Sequence, residues 1–413
     1  MSDSMVIADP AGTLPRWTLD PASRHLNHGS FGAVPEAVQA EQERLRRLIQ
    51  WNPVRWFVSQ PGRVAAARQQ LAAYLEVSPD RLAFVLNASA GCSVVFNALL
   101  GPQPTSVLTT NHGYGAVTMG AERLASRSGG ESFTSQIPLG ATAAEVIDII
   151  TADLDRHRPD LLVIDQVTSP TARAFPVDDI CRIARERGVT TLVDGAHAPG
   201  VLADPVCREA DYWVGNLHKF VSAPSGAAVL VTRGEGQELC PLVDSWGAKD
   251  PFPQRFDHTG TADLTAWLTA PLAWEHLAST IGWDEVRSRS AALLDAAVPV
   301  VAEALSAYVA EPLADVGQPV GMMRLLRLPP NLADTLSGAD ALREPFWQAT
   351  GMTCAFTTFE GSGYLRLSAH LYNKMQDYEY LAAVGIPLLH RWSIEGVGGS
   401  DMSMTGIKGD SHA

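Results

Sequence analysis

Asp194 closes the apolar run TTLVDGAHAPG, and twenty-five residues further on His218-Lys219 stands in DYWVGNLHKF. A carboxylate at the end of a buried strand is costly unless a cation meets it. A pyridinium nitrogen is such a cation, and the ion pair keeps the ring protonated as an electron sink for a carbanion at Cα of an amino acid. A lysine nearby supplies a Schiff base and later a mobile proton. Taken singly, an Asp after a strand is a turn residue and a His-Lys pair is surface. In this order and spacing, with the small-residue loop Ala223-Pro224-Ser225-Gly226 after the lysine, they point to pyridoxal 5′-phosphate (PLP) held by Lys219 with Asp194 at the ring nitrogen.

Such groups need rigid strands to hold them. RLAFVL (81–86), SVLTT (106–110), DLLVIDQV (160–167), TTLVDGA (190–196), YWVGN and GAAVLVT (226–232) read as strands. Helical patterns follow Pro35, cover Gly62–Leu75 and cover Asp178–Arg187. Continuous apolar strands separated by helices imply a mostly parallel sheet covered on both faces. After Leu264 the pattern changes. TAWLTAPLAWEHLAST and SRSAALLDAAVPVVAEALSAYV read as long helices, and 318–393 mixes strands (GMMRLLRL, YLRLSAHLYN) with helices. The expected layout is α/β: an N-terminal arm and substrate-side loop (1–40), a large cofactor-binding domain (41–285), a smaller C-terminal α/β domain (286–395) and a disordered tail (396–413) without periodicity.

The formal net charge is −14. An acidic chain repels nucleic acid and anionic membranes, so neither is expected as a partner. No window reaches the ~18 apolar residues of a membrane span, and the N-terminus lacks the basic start of a signal peptide. The five cysteines are scattered without CxxC spacing, which reads as reduced thiols in a cytoplasmic protein.

Nine segments carry a family resemblance: LNHGSFGAVP (26–35), PVRWFVSQ (53–60), NASAG (87–91), TNHGYGAV (110–117), SPTA (169–172), VDGAHAPG (193–200), GNLHKF (215–220), TGTAD (259–263) and LRLSAHLYN (365–373). The chain resembles the class V aminotransferases, and within them the isopenicillin N epimerase-like group that includes C–S lyases. The resemblance implies the PLP fold type I, aspartate-aminotransferase-like. It implies that Ser89, Ala90 and Gly91 open a helix whose free N–H groups bind the cofactor phosphate, a local pattern that taken alone is an ordinary N-cap. His112 would stack on the ring, with Tyr114 as a second aromatic candidate. Ser169 would donate to the ring 3′-oxygen, with His197 on the same side as a further cofactor contact. Asn216, in place of the family's usual serine, and His218 would reach the phosphate. Thr261 would reach the phosphate of a neighbouring subunit, which implies a homodimer with shared sites. Arg366 matches the carboxylate-binding arginine of the family, a role that suits a guanidinium fork. Asn27, His28, Gly29 and Ser30 resemble the substrate-side loop, and Arg55 and Trp56 are further pocket candidates.

The departures bear on the reaction. Cysteine desulfurases of the family carry RxGxxC, whereas Cys354 lies in GMTCAFTTFEGSG, outside that setting. Epimerisation uses bases on both faces of Cα, and Lys219 supplies one. The epimerase-like pattern has a histidine before SPTG, where this chain has Gln166. β-Elimination needs one base and a leaving group. The expectation is therefore a C–S lyase acting on an S-substituted L-cysteine, in specialised (antibiotic) metabolism. The alternatives are amino-acid epimerisation, with Tyr114, His28 or His370 as second base, and oxidative decarboxylation of an S-cysteinyl conjugate.

Overall fold

The computed structural model describes residues 14–398; the expectations for the chain start and most of the tail lie outside them. Along the chain run β1 (Arg24–His25), α1 (Glu36–Trp51), α2 (Pro53–Tyr74), β2 (Leu82–Val85), α3 (Ala88–Leu99), β3 (Val107–Thr110), α4 (Gly115–Ser128), β4 (Ser132–Ser135) and α5 (Ala143–His157). Then come β5 (Leu161–Asp165), α6 (Val177–Glu186), β6 (Thr190–Asp194), β7 (Tyr212–Asn216) and β8 (Ala228–Thr232). These form one seven-stranded sheet in the order β2-β8-β7-β6-β5-β3-β4. Every residue of β2, β3, β5, β7 and β8 is buried, because helices cover both faces.

Neighbours from β4 to β7 pair in parallel, while β8 runs antiparallel to both β7 and β2. The sheet is thus mixed and mostly parallel. Because β8 reverses, the 217–227 connection turns back over the edge where β5 and β6 end. Leu217 N–H donates to Ala227 O and Ala223 N–H to Leu217 O, pinning this connection. Lys219 is carried on it. The C-terminal edge of parallel strands is where open α/β sheets bind ligands.

The second unit begins after α7 (Thr265–Thr280) with α8 (Trp283–Ser306), so the division expected at 285–286 falls inside a continuous helix. β9 (Met323–Arg327), α9 (Leu336–Thr350), β10 (Met352–Thr353), β11 (Ala355–Phe359), β12 (Ser362–Ser368), α10 (Met375–Tyr380) and α11 (Ile386–Glu395) complete it. β11-β12-β9 form an antiparallel sheet. Its core joins Leu294, Val301 and Leu305 of α8 to Leu365, Leu367 and Phe346.

The arm is stitched to this unit, since β1 pairs with β10 and Leu26 O accepts from Ser368 N–H. It is also clamped to the lysine loop. Gly32 N–H donates to His218 O, and a Cβ on Gly32 would lie 2.3 Å from Lys219 O; only glycine allows that approach.

In the large sheet the strands read from sequence agree to within two residues, but β4 is not among them, and in the second unit β11 is missed and the strand read over 364–373 ends at Ser368. The helix expected from Gly62 instead starts at Pro53, because the Asn52 side chain caps it by accepting from Arg55 N–H and proline suits the first turn. Among the described residues no helix is long and apolar enough to cross a membrane, and no group of His, Cys, Asp and Glu could hold a metal ion.

Candidate active site

Asp165 and Asp194 end the adjacent parallel strands β5 and β6 and face each other in register. Both line a cavity of about 660 Å³ between the large sheet, the arm and the small unit. Asp194 is 2% exposed, and its Oδ1 accepts from Ala196 N–H at 2.9 Å. Desolvation raises its carboxyl above the usual range, opposed by that hydrogen bond and by Lys219.

Lys219 projects into the same cavity. Burial lowers its ammonium to about 7, helped by the positive charge of Arg366 and opposed by Asp194 and Asp165. A lysine in that range offers a neutral amine at physiological pH, as a carbonyl nucleophile requires. His197 Nε2 lies 3.0 Å from Lys219 Nζ and 2.9 Å from Gly29 O. Burial, then Lys219 and Arg366, holds this imidazole well below its ordinary range, hence neutral.

At the far wall is the start of α3. Asn87 caps it, its Oδ1 accepting from Ala90 N–H, while Asn216 Oδ1 accepts from Ala88 N–H at 2.8 Å. Gly91 N–H is bonded to Asn87 O. The Ser89 N–H and hydroxyl are the first-turn donors left toward the cavity, at the positive end of the helix dipole. His218 lines the same wall, its Nδ1 3.3 Å from Ala227 O. Burial, then Lys219, lowers it to about 4.

Arg366 reaches in from β12. It is 3% exposed, and its guanidinium donates to Ser169 O (2.5 Å), Ser169 Oγ (3.3 Å) and Ser30 Oγ (2.7 Å). Among the described residues no carboxylate pairs with it. Burial and the charge of Arg343 lower it to about 10, opposed by Tyr114. A buried guanidinium held only by neutral oxygens is suited to an incoming carboxylate.

Several expected site residues lie elsewhere. His112 is fully buried beneath the cavity, with Nδ1 2.7 Å from Thr171 Oγ1 and Nε2 2.9 Å from Ile137 O, and it packs on Phe359. Both ring nitrogens are spent, and the aromatic wall is Tyr114, 45% exposed at the start of α4. His28 also leaves the site: Nδ1 meets Tyr372 OH at 2.9 Å, Nε2 meets Lys219 O at 3.0 Å, and the ring stacks on His370. His370 is likewise buried behind the lysine loop, against Phe220 O. Asn27 does not line the cavity, whereas Gly29 and Ser30 do. Ala90 and Gly91 have spent their N–H groups, and Gly91 packs on Val214.

Arg55 and Trp56 sit on α2, Trp56 lining a wider groove with Thr261 and the exposed Trp51, Val54 and Val58. That groove is larger than the cavity but holds none of the paired chemistry. The Gln166 amide faces the opposite side of its strand, where Oε1 accepts from Trp213 Nε1 at 2.8 Å, so its identity does not alter the cavity's bases. Cys354 is buried in the small unit, its thiol pushed up by burial. Asp165 and Arg343 line the cavity unexpected from sequence.

These residues fit PLP. A buried carboxylate faces the cavity with one lysine as its cation, and a helix start presents donors at another wall. The class-V aminotransferase family model matches residues 60–381, and the chain belongs to that family. It is a PLP-dependent enzyme. Isopenicillin N epimerase of Streptomyces clavuligerus is 30% identical over 92% of this chain and 98% of that protein. An L-cysteine desulfhydrase of Arabidopsis thaliana is 27% identical over 60% of this chain and 59% of its own. The solved complex of the cystine C–S lyase C-DES with cysteine persulfide superposes with a TM-score of 0.73 at 17% identity, over 87% of this chain and 96% of that one.

Proposed function

We propose that the enzyme catalyses β-elimination on an S-substituted L-cysteine, releasing a thiol, pyruvate and ammonia with one water consumed, in specialised metabolism. The observation that carries this is the disposition of bases. Lys219 is the amine in the cavity, while His28 and His370 face away behind the lysine loop. One base suffices for elimination when sulfur can leave.

Bound PLP supplies the electron sink that acidifies the Cα–H bond. Asp194 would hold the ring-nitrogen proton, and the Ser89 donors with Asn216 and His218 would hold the phosphate. Ser169 would donate to the ring oxygen, with His197 on the same side. Arg366 grips the substrate carboxylate and so turns Cα–H toward Lys219, which takes the proton onto Nζ. The thiolate then departs from Cβ. Thr261, outside this chain's own cavity, serves the site of a second copy across the Trp51 and Val54 face, in a homodimer.

A second reading, epimerisation, is favoured by Tyr114. It lines the cavity with an ionisable hydroxyl that no cofactor role consumes, and epimerases are among the relatives at 30% identity. Incubation with S-substituted L-cysteines in deuterated water separates the two. Stoichiometric pyruvate and thiol support elimination. Recovered substrate with inverted configuration and deuterium at Cα, without pyruvate, overturns it, and carbon dioxide release with oxygen uptake marks oxidative decarboxylation instead.

A further inference from the structure

The reading above uses one carboxylate, and the cavity holds two. Asp165 is 4% exposed and stands in register with Asp194. Adjacent parallel strands lie about 4.8 Å apart, so paired side chains leave the sheet as close neighbours on one face. The groups facing Asp165 come from four elements: Asp194 on β6, Lys219 on the β7–β8 connection, the Tyr114 backbone N–H at the start of α4, and the Cys92 thiol on α3. Of the cations lining the cavity, Lys219 is the one that acts on both carboxylates, while the Arg366 guanidinium is held by Ser169 and Ser30. Two buried like charges side by side do not both remain ionised; the pair keeps a proton.

The position of that proton follows from the surroundings. Desolvation and then the charge of Asp194 raise the Asp165 carboxyl well above its ordinary range, opposed by the Tyr114 N–H and Lys219. Asp194 is raised by desolvation alone, with Ala196 N–H and Lys219 opposing. The Ala196 N–H that donates to Asp194 Oδ1 at 2.9 Å, together with the ring nitrogen that Asp194 is read to meet, favours the charge on Asp194 and leaves the proton to Asp165.

We propose that Asp165 is a positioning residue: as a neutral acid it leaves a single charge, on Asp194, for the cofactor ring nitrogen, and by accepting the Tyr114 N–H it fixes the aromatic wall of the cavity. This rests on Asp194 as the ring-nitrogen partner, and it does not depend on which reaction follows.

The test uses purified holoenzyme. Asp165→Asn keeps neutrality and an acceptor oxygen for Tyr114 N–H. It should retain the visible cofactor band, leave the pH midpoint of that band within about 0.3 unit, and remove a protonated-carboxyl band from the infrared spectrum. Asp165→Ala removes the acceptor and should lower kcat about tenfold relative to Asp165→Asn. A midpoint lowered by about one unit or more in Asp165→Asn, as expected when a negative charge beside Lys219 is lost, overturns the proposal. So does survival of the infrared band, or an Asp165→Ala variant equal to Asp165→Asn. If neither variant folds, carbon-13 NMR of aspartate-labelled wild-type holoenzyme should show a buried carboxyl protonated at neutral pH; its absence overturns the assignment. Asp194→Asn is the separate control. If it leaves kcat within a few-fold of wild type, the ring-nitrogen reading fails while the infrared result still reports on Asp165.

Discussion

His197 Nε2 stands 3.0 Å from Lys219 Nζ, so the amine that reaches the cavity is held by a neutral imidazole and not by a carboxylate. A carboxylate partner would raise the lysine. With a neutral one in contact, burial and then Arg366 depress it against the opposing charge of Asp194 and Asp165.

Replacing this lysine tests the centre of the assignment. Lys219→Ala should lose both the borohydride-reducible link to PLP and all turnover. A variant that still forms such a link at another lysine and remains active contradicts the placement.

The depressed lysine makes a pH prediction with a definite sign. Lys219 is the nucleophile only when neutral, and it is lowered to about 7. Reconstitution of cofactor-free protein with PLP should therefore accelerate as pH rises through about 7. Removing a neighbouring positive charge favours the protonated amine and raises its midpoint. Arg366→Met should move the pH–rate curve upward by about a unit, besides weakening substrate binding. A curve that stays in place or moves down shows that Arg366 is not what depresses the lysine.

Much of this site is legible along the chain, for a physical reason. Asp194 ends an apolar run, Lys219 follows a strand and precedes small residues, and each can be judged from local context. Asp165 cannot. It lies inside DLLVIDQV, a run buried on both faces, which has no polar alternation to say which side meets the cavity. The same blindness made Gln166 look relevant, although it points to Trp213. That His28, His112 and His370 lie buried outside the cavity is not legible in the sequence, because a histidine's partners are tertiary. The atoms that satisfy them, Tyr372 OH, Thr171 Oγ1 and Phe220 O, are remote in sequence. The three-dimensional separation of His112 from Tyr114 follows from α4 beginning at Gly115. Its first turn turns Tyr114 to the cavity and leaves His112 in the core.

The homodimer reading predicts complementation. Thr261 is exposed beside the groove formed by α1 and α2 and does not line its own chain's cavity. Lys219→Ala and Thr261→Trp proteins, each inactive alone, should regain part of the activity when mixed and refolded, because a hybrid dimer holds one intact site. A sedimentation profile of an active monomer, or no recovery on mixing, removes Thr261 from the partner's site.

Gln166 provides the sharpest separation of position from chemistry. Its side chain is 5% exposed and its Oε1 accepts the Trp213 indole N–H at 2.8 Å. Trp213 is 1% exposed in the core of the large sheet. Gln166→Leu would orphan that buried donor, at a cost of about 1–3 kcal/mol. The expected result is a lower midpoint of thermal or urea unfolding, with kcat and the ratio of elimination to epimerisation products unchanged at a temperature where the variant is folded. Gln166→His should behave likewise, gaining no epimerase activity, because the imidazole would replace the amide against Trp213 and not enter the cavity. If Gln166→His instead yields substrate inverted at Cα, then the side chain at this position does reach the reacting carbon, and the base inventory that supports elimination has to be redrawn with a second base just past the end of β5.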